Sequence, residues 1–156
     1  MLFHLLRPCR AQDELDSFSP GAKAIGIGYS AVVGLYDASA LYWNPASLAV
    51  MRCPQGLLSI HEPFTANYLA YSHFVPKFGS FAASIASTWE NDPIQFATAG
   101  WGYQLIPGLF VGLNMNGLQQ SEHSWMTFGV GMLFRPTNSI LQQRSPYIAD
   151  RLAVGF

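Results

Sequence analysis

The chain has 156 residues, half of them apolar, 14% aromatic and only 11% charged, with a formal net charge of −1. A typical soluble domain carries about 25% charged residues, so this chain is short of the groups that a water-facing surface needs. There is no basic patch and no run of like charge, which argues against a nucleic-acid partner.

The first residues do not form an intact export signal. Met1 to Leu6 is apolar, but Arg7, Pro8 and Arg10 interrupt it before a 7–15-residue apolar core can form. Residues 1–12 are therefore read as the remnant of such a signal. Cys9 and Cys53 have no metal-like spacing and are expected to be unpaired thiols.

Residues 13–53 are rich in Gly and Ala and show no long alternation. Glycines at 21, 26 and 28 permit tight backbone packing. Asp37-Ala38-Ser39 resembles a helix start, with Asp37 or Ser39 able to accept from orphan N–H groups. Asn44-Pro45 should end that turn, because a residue before proline avoids the helical region.

From about residue 54 the pattern changes to period two, the period of a strand. Phe81, Ala83, Ile85, Ser87 and Trp89 share one face, with Ala, Ser and Thr on the other. Leu109, Val111, Leu113 and Met115 alternate with Phe110, Gly112, Asn114 and Asn116. Met126, Phe128, Val130, Met132 and Phe134 alternate with Trp125, Thr127, Gly129, Gly131 and Leu133. About seven strands are expected, near 55–62, 67–76, 79–89, 94–104, 107–118, 124–135 and 147–156. Ten residues at about 3.3 Å each, tilted by about 45°, rise near 23 Å, close to the apolar band of an outer-membrane barrel.

Turns with Pro76, Pro107 and Pro136 recur at spacings of 31 and 29 residues. Polar loops 90–93 and 119–123 alternate with them. The pattern predicts tight turns at one end and longer polar loops at the other. Phe74, Phe78, Trp89, Trp101, Tyr103, Trp125 and Phe134 stand near strand ends, where interfacial girdles would place them. The 29 residues from Pro93 to Ser121 carry no formal charge, but prolines, glycines and amides disqualify them as a spanning helix.

The segment from Gly21 to Val33 and the run Asp37-Ala38-Ser39-Ala40-Leu41-Tyr42-Trp43-Asn44-Pro45-Ala46-Ser47-Leu48 resemble the N-terminus of PorV/PorQ-type outer-membrane proteins, which are related to the FadL long-chain fatty-acid transporters. Gly21, Ala22, Ala24, Gly26, Gly28, Asp37, Ser39, Tyr42, Trp43, Asn44, Pro45 and Ala46 match the family pattern. Lys23 stands where that pattern has Arg, and Tyr29 and Ser47 where it has Gly. The resemblance implies a barrel of about fourteen strands in a longer chain, with the N-terminal segment as a plug in the lumen. This chain would then hold residues 13–53 as the plug and 54–156 as roughly the first half of an all-β, antiparallel transmembrane barrel. Seven strands cannot close in lipid without unpaired edges, so a longer barrel is favoured over closure with a second copy. Phe156 either ends a barrel assembly signal or falls within a strand, and the short strand count favours the latter.

The expected partners are the lipid bilayer and either a hydrophobic ligand or proteins of a secretion system, and the expected location is the bacterial outer membrane. A soluble β-sandwich binding domain is the third reading. No catalytic role and no cofactor is expected. Gly26, Gly28 and Ala31 superficially match a dinucleotide fingerprint, but neither the preceding strand nor the later acidic residue is there. His4, His61, His73 and His123 lack metal-ligand spacing, and no Ser lies in a nucleophile elbow.

Overall fold

In the computed structural model the described residues are 21–26, 32, 35–60, 66–89, 93–121, 123–135 and 154–155. Two short helices come first, α1 (Ala22–Gly26) and α2 (Ala40–Trp43), followed by a 3₁₀ turn (Pro45–Val50). The strands follow in chain order: β1 (Gln55–Ile60), β2 (Ala66–Val75), β3 (Gly79–Thr88), β4 (Ile94–Ile106), β5 (Leu109–Gln120), β6 (His123–Phe134) and the two-residue β7 (Val154–Gly155). They form one antiparallel meander in which every strand pairs with its sequence neighbours.

The fold is therefore all-β, as the alternation requires, with an open sheet whose six substantial strands run from β1 to β6. Expected and observed strand ends agree within three residues from β1 to β6. Of the expected strand 147–156, only Val154 and Gly155 are described, opposite Phe134 and Leu133. The segment 1–12, Cys9 and Gly28 lie outside the described residues.

Turn chemistry sets the register. Pro107 and Gly108 alone join β4 to β5, and Gly108 has φ +88°. A proline followed by a residue with positive φ is the order that a type II turn demands. Lys77, at φ 73°, turns β2 into β3. The other end departs from expectation. Only Ser121 and Glu122 join β5 to β6, so this connection is as tight as those opposite. Gln119 and Gln120, read as loop, extend β5 because they pair with Ser124 and His123.

The sheet has two unlike faces. The inner face carries the helices and buries small or polar residues: Ser72, Ser80, Ala82, Ser84, Ala86, Thr98 and their neighbours. The outer face carries large apolar residues that stay exposed. Phe128 is 76% accessible, Val130 78% and Ile85 59%. Of the expected girdle aromatics, Trp101, Tyr103 and Phe134 take outer positions at the turn end. Phe74 and Trp125 instead fall on the inner face, because they keep phase with buried Ser72 and Leu133.

Candidate functional site: a hatch seated on the strand wall

Residues 35–51, named the hatch here for their position alone, pack as one unit on the helix-bearing face of the sheet. Asp37 organises its entry. Its Oδ1 accepts from the Ser39 backbone N–H at 3.0 Å and also from the Ser39 hydroxyl. Its Oδ2 lies 3.3 Å from Lys23 Nζ, tying α1 to the hatch. Helix α2 then begins at Ala40, and it is Asp37, not the Ser39 side chain, that accepts from the hatch backbone here. Gly21 has φ +97° with Ser39 Oγ only 3.0 Å from where a Cβ would stand. Gly26 is helical with open space around it.

Asn44 ends α2 in extended conformation, φ −156° and ψ 104°, as a residue before proline should. Pro45 then starts the 3₁₀ turn, an element that the sequence pattern did not announce. Proline is suited to a first helical position, where its missing N–H costs nothing. The Asn44 side chain is a three-way clamp. Its Oδ1 accepts from Ala46 N at 3.0 Å. Its Nδ2 donates to Val32 O at 3.1 Å and to Met132 O at 3.2 Å. The hatch is thereby fastened to β6.

The wall is shaped to receive it. Register places Ser80, Gly102, Gly112 and Gly131 on one rung across β3 to β6. A Cβ at Gly102 would come within 2.7 Å of Ala49 N and 2.8 Å of Pro45 O. At Gly112 it would collide with Pro45 and Ala46, and at Gly131 with Asn44 Oδ1. On the next rung a Cβ at Gly100 would strike Leu41. The glycines thus form a bare lane into which the hatch backbone sinks. Hydrogen bonds line its margins: Ser80 Oγ donates to Met51 O at 3.1 Å, and Asn114 Nδ2 to Leu41 O at 3.2 Å.

Apolar packing closes the contact. Ala46, Ala49, Phe110 and Leu133 cluster with Val50 below the 3₁₀ turn. Leu41, Leu48, Met51 and Ala82 cluster beside it with Trp43. Tyr42 meets Trp43 edge-on at 5.2 Å and Phe96 edge-on at 6.0 Å. The described motif residues Asp37, Ser39, Tyr42, Trp43, Asn44, Pro45 and Ala46 thus belong to one docked unit. Sequence reasoning missed the wall half: Ser80, Gly100, Gly102, Gly112, Asn114 and Gly131. The available signal was symmetry. Gly102 and Gly112 stand five positions either side of Pro107, so a hairpin there places them opposite each other.

Asn44→Ala is expected to loosen the hatch, because it removes the clamp and strands the Ala46 N–H and the Met132 carbonyl. Unmade buried hydrogen bonds cost about 1–3 kcal/mol each. Faster proteolysis at Lys23 or Arg52, with the strand signal in circular dichroism retained, is the readout.

Beyond the hatch the inner wall continues as two further rungs. Ser84, Thr98, Asn116 and Thr127 form a polar one. Thr98 Oγ1 donates to Asn116 Oδ1 at 2.9 Å, and Asn116 Nδ2 donates to Thr127 Oγ1 at 3.3 Å. Ala86, Phe96, Leu118 and Trp125 form the next, apolar one. Asn116 and Leu118 are half-buried and Thr127 and Trp125 are exposed, so these rungs are open on β5 and β6, whereas Ser84, Ala86 and Thr98 are buried and Phe96 packs against Tyr42 and the Ala38 cluster.

At the turn end Trp101 Nε1 donates to Phe78 O at 2.6 Å, and Trp101 stacks on Tyr103 at 5.6 Å. The Arg52 guanidinium lies 4.9 Å above the Phe74 ring and donates to Gln104 at 2.9 Å. A hollow of about 630 Å³ lies against the strands near the other end. Its lining takes in two outer rungs, with Leu69, Ile85 and Met126, but only one inner rung.

Among the described residues no three His, Cys, Asp or Glu side chains gather as metal ligands, and no helix is long and apolar enough to cross a membrane. Cys53 is exposed and free. Comparison of the chain with protein-family models, with curated proteins and with solved structures finds no match.

Proposed function

We propose that this chain supplies the hatch and about half the wall of a β-barrel in the bacterial outer membrane, a barrel that passes hydrophobic solutes. One observation supports this above all others: the sheet is inside out for a water-soluble protein. Its buried face is mostly Ala, Gly, Ser and Thr, with Tyr68, Ile94, Phe110 and Leu133 among them, while Leu58, Leu69, Ile85, Met126, Phe128 and Val130 are each at least half accessible on the other. Soluble monomers seldom expose contiguous apolar patches beyond a few hundred Å². Six strands of such residues exceed that, and hydrocarbon is the solvent that suits them. Strands of 10 to 13 residues from β2 to β6 have the length for a tilted crossing. A soluble sandwich would need a second sheet over the apolar face, and none covers it among the described residues.

Within this reading the hatch is the stopper. It is held by hydrogen bonds and small-residue packing, contacts that can be remade when it shifts. The related role in protein export would use the same wall with the hatch as an anchor for partner proteins.

The test is expression in a Gram-negative host followed by fractionation. The chain should sediment with outer membranes, need detergent for extraction and resist trypsin within its strands. A monodisperse monomer in plain buffer would overturn the reading. Uptake of a labelled hydrophobic solute favours transport, and co-purification of secretion proteins without uptake favours export.

A further inference from the structure

The part of the inner wall left open on β5 and β6 has a chemistry of its own. Asn116 and Thr127, backed by buried Thr98, lie directly beside Leu118 and Trp125 on these two strands. A molecule lying along the strands here meets hydrogen-bonding groups first and aromatic and aliphatic surface next. We propose that this double rung is a binding site for the polar end and first methylenes of an uncharged amphiphile, such as an ester, amide or alcohol of a long hydrocarbon chain. The inference rests on the barrel reading above and specifies the ligand class of that barrel.

Hydrogen-bond direction supplies the first argument. Thr98 donates to Asn116, and Asn116 donates to Thr127. Thr127 therefore accepts, and its own hydroxyl hydrogen is uncommitted on an exposed residue. Asn116 keeps a second N–H and a second carbonyl lone pair. The rung offers donors and an acceptor to a neutral polar group.

Charge supplies the second. Between β1 and β6 no described inner position holds Lys, Arg, Asp or Glu. Lys23 lies with Asp37, Arg52 with Phe74 and Gln104, and Arg135 over the Tyr36 ring, Lys77 stands in the β2–β3 turn, and His123, the imidazole beside the rung, stacks on Trp125 at 5.7 Å. A carboxylate on this rung would lose hydration with no Lys or Arg beside it among the described residues, whereas a neutral ester would not. Trp125 faces the same side and reports on occupancy.

The experiment uses the full chain in phosphatidylcholine vesicles, at protein-to-lipid ratios that let two copies pair their open edges, with nitroxide-labelled stearic acid, kept ionised, and its methyl ester as quenchers. The signal is the fluorescence difference between the wild type and Trp125→Phe, with each probe expressed as its mole fraction in the bilayer. The ester is expected to quench at roughly tenfold lower mole fraction than the acid, the size of preference that an unmatched charge imposes. Thr127→Val and Asn116→Leu should each weaken ester quenching several-fold and leave the acid unchanged. Equal quenching by acid and ester, or ester quenching indifferent to both substitutions, overturns the inference while the barrel stands. Failure of the wild type to insert, seen as complete trypsin digestion, overturns both.

Discussion

Replacing Gly112 with valine is expected to expel the hatch while leaving the strands paired. A Cβ at Gly112 meets the Pro45 carbonyl and the Ala46 nitrogen, backbone atoms with no flexible end to swing aside. Valine adds two further methyl groups in the same place. Overpacking of this kind typically costs about 1–3 kcal/mol and sometimes more. The docked hatch has no alternative seat, because Gly102 and Gly131 beside it are filled by the same Pro45 and Asn44. Docking should therefore fall by about two orders of magnitude at 3 kcal/mol. Gly117→Val is the control on the same strand, since the nearest atom to a Cβ there is Ala97 O at 3.9 Å. Limited proteolysis of residues 35–51 and urea unfolding read both variants. Equal protection of the hatch in the two would show that the glycine lane does not seat it.

A lysine on the outer face has a sign that depends on the solvent. Phe128 sits near the middle of β6 and is 76% accessible. In a water-soluble protein, Phe128→Lys would be close to neutral and would raise solubility. In a bilayer, a lysine at the midplane of a barrel costs about 2–4 kcal/mol, falling to about 0–1 near the interface. Phe134→Lys, at the end of the same strand, should therefore be tolerated. The measurement is the folding equilibrium in lipid vesicles against denaturant for both variants. A Phe128→Lys chain that is stable and detergent-independent would overturn the membrane reading.

The strands were legible because their face pattern is unmixed. In β3, β5 and β6 the large apolar residues Phe81, Ile85, Leu109, Val111, Leu113, Met115, Met126, Phe128, Val130, Met132 and Phe134 all keep one phase, and the intervening residues are mostly small or polar, so period and phase could both be read. The prolines and Gly108 then marked one set of turns. The β5–β6 turn was harder, since Gln119 to His123 is polar throughout and polarity alone does not separate a strand rim from a loop. Asp37 could be read as a candidate cap because its contact is local, two residues away, whereas Asn44 was legible only as the end of α2 and not as the cap of the turn that follows. The seat could not be read, because it depends on register carried across two hairpins. Gly102, Gly112 and Gly131 look like three scattered glycines until the turns at 107–108 and 121–122 bring them into one row. The polar inner rung was hidden for the same reason. Thr98, Asn116 and Thr127 are 18 and 11 positions apart in pairs, and their hydrogen bonds exist only in the folded register.

The bond from Asn44 to Met132 joins positions 88 residues apart. Five strands lie between the hatch and the strand that latches it, so this fastening is a late event in folding whose rate reflects long-range closure. A product halted before β6 would keep the β3 to β5 part of the seat and lack the Asn44–Met132 bond that latches it.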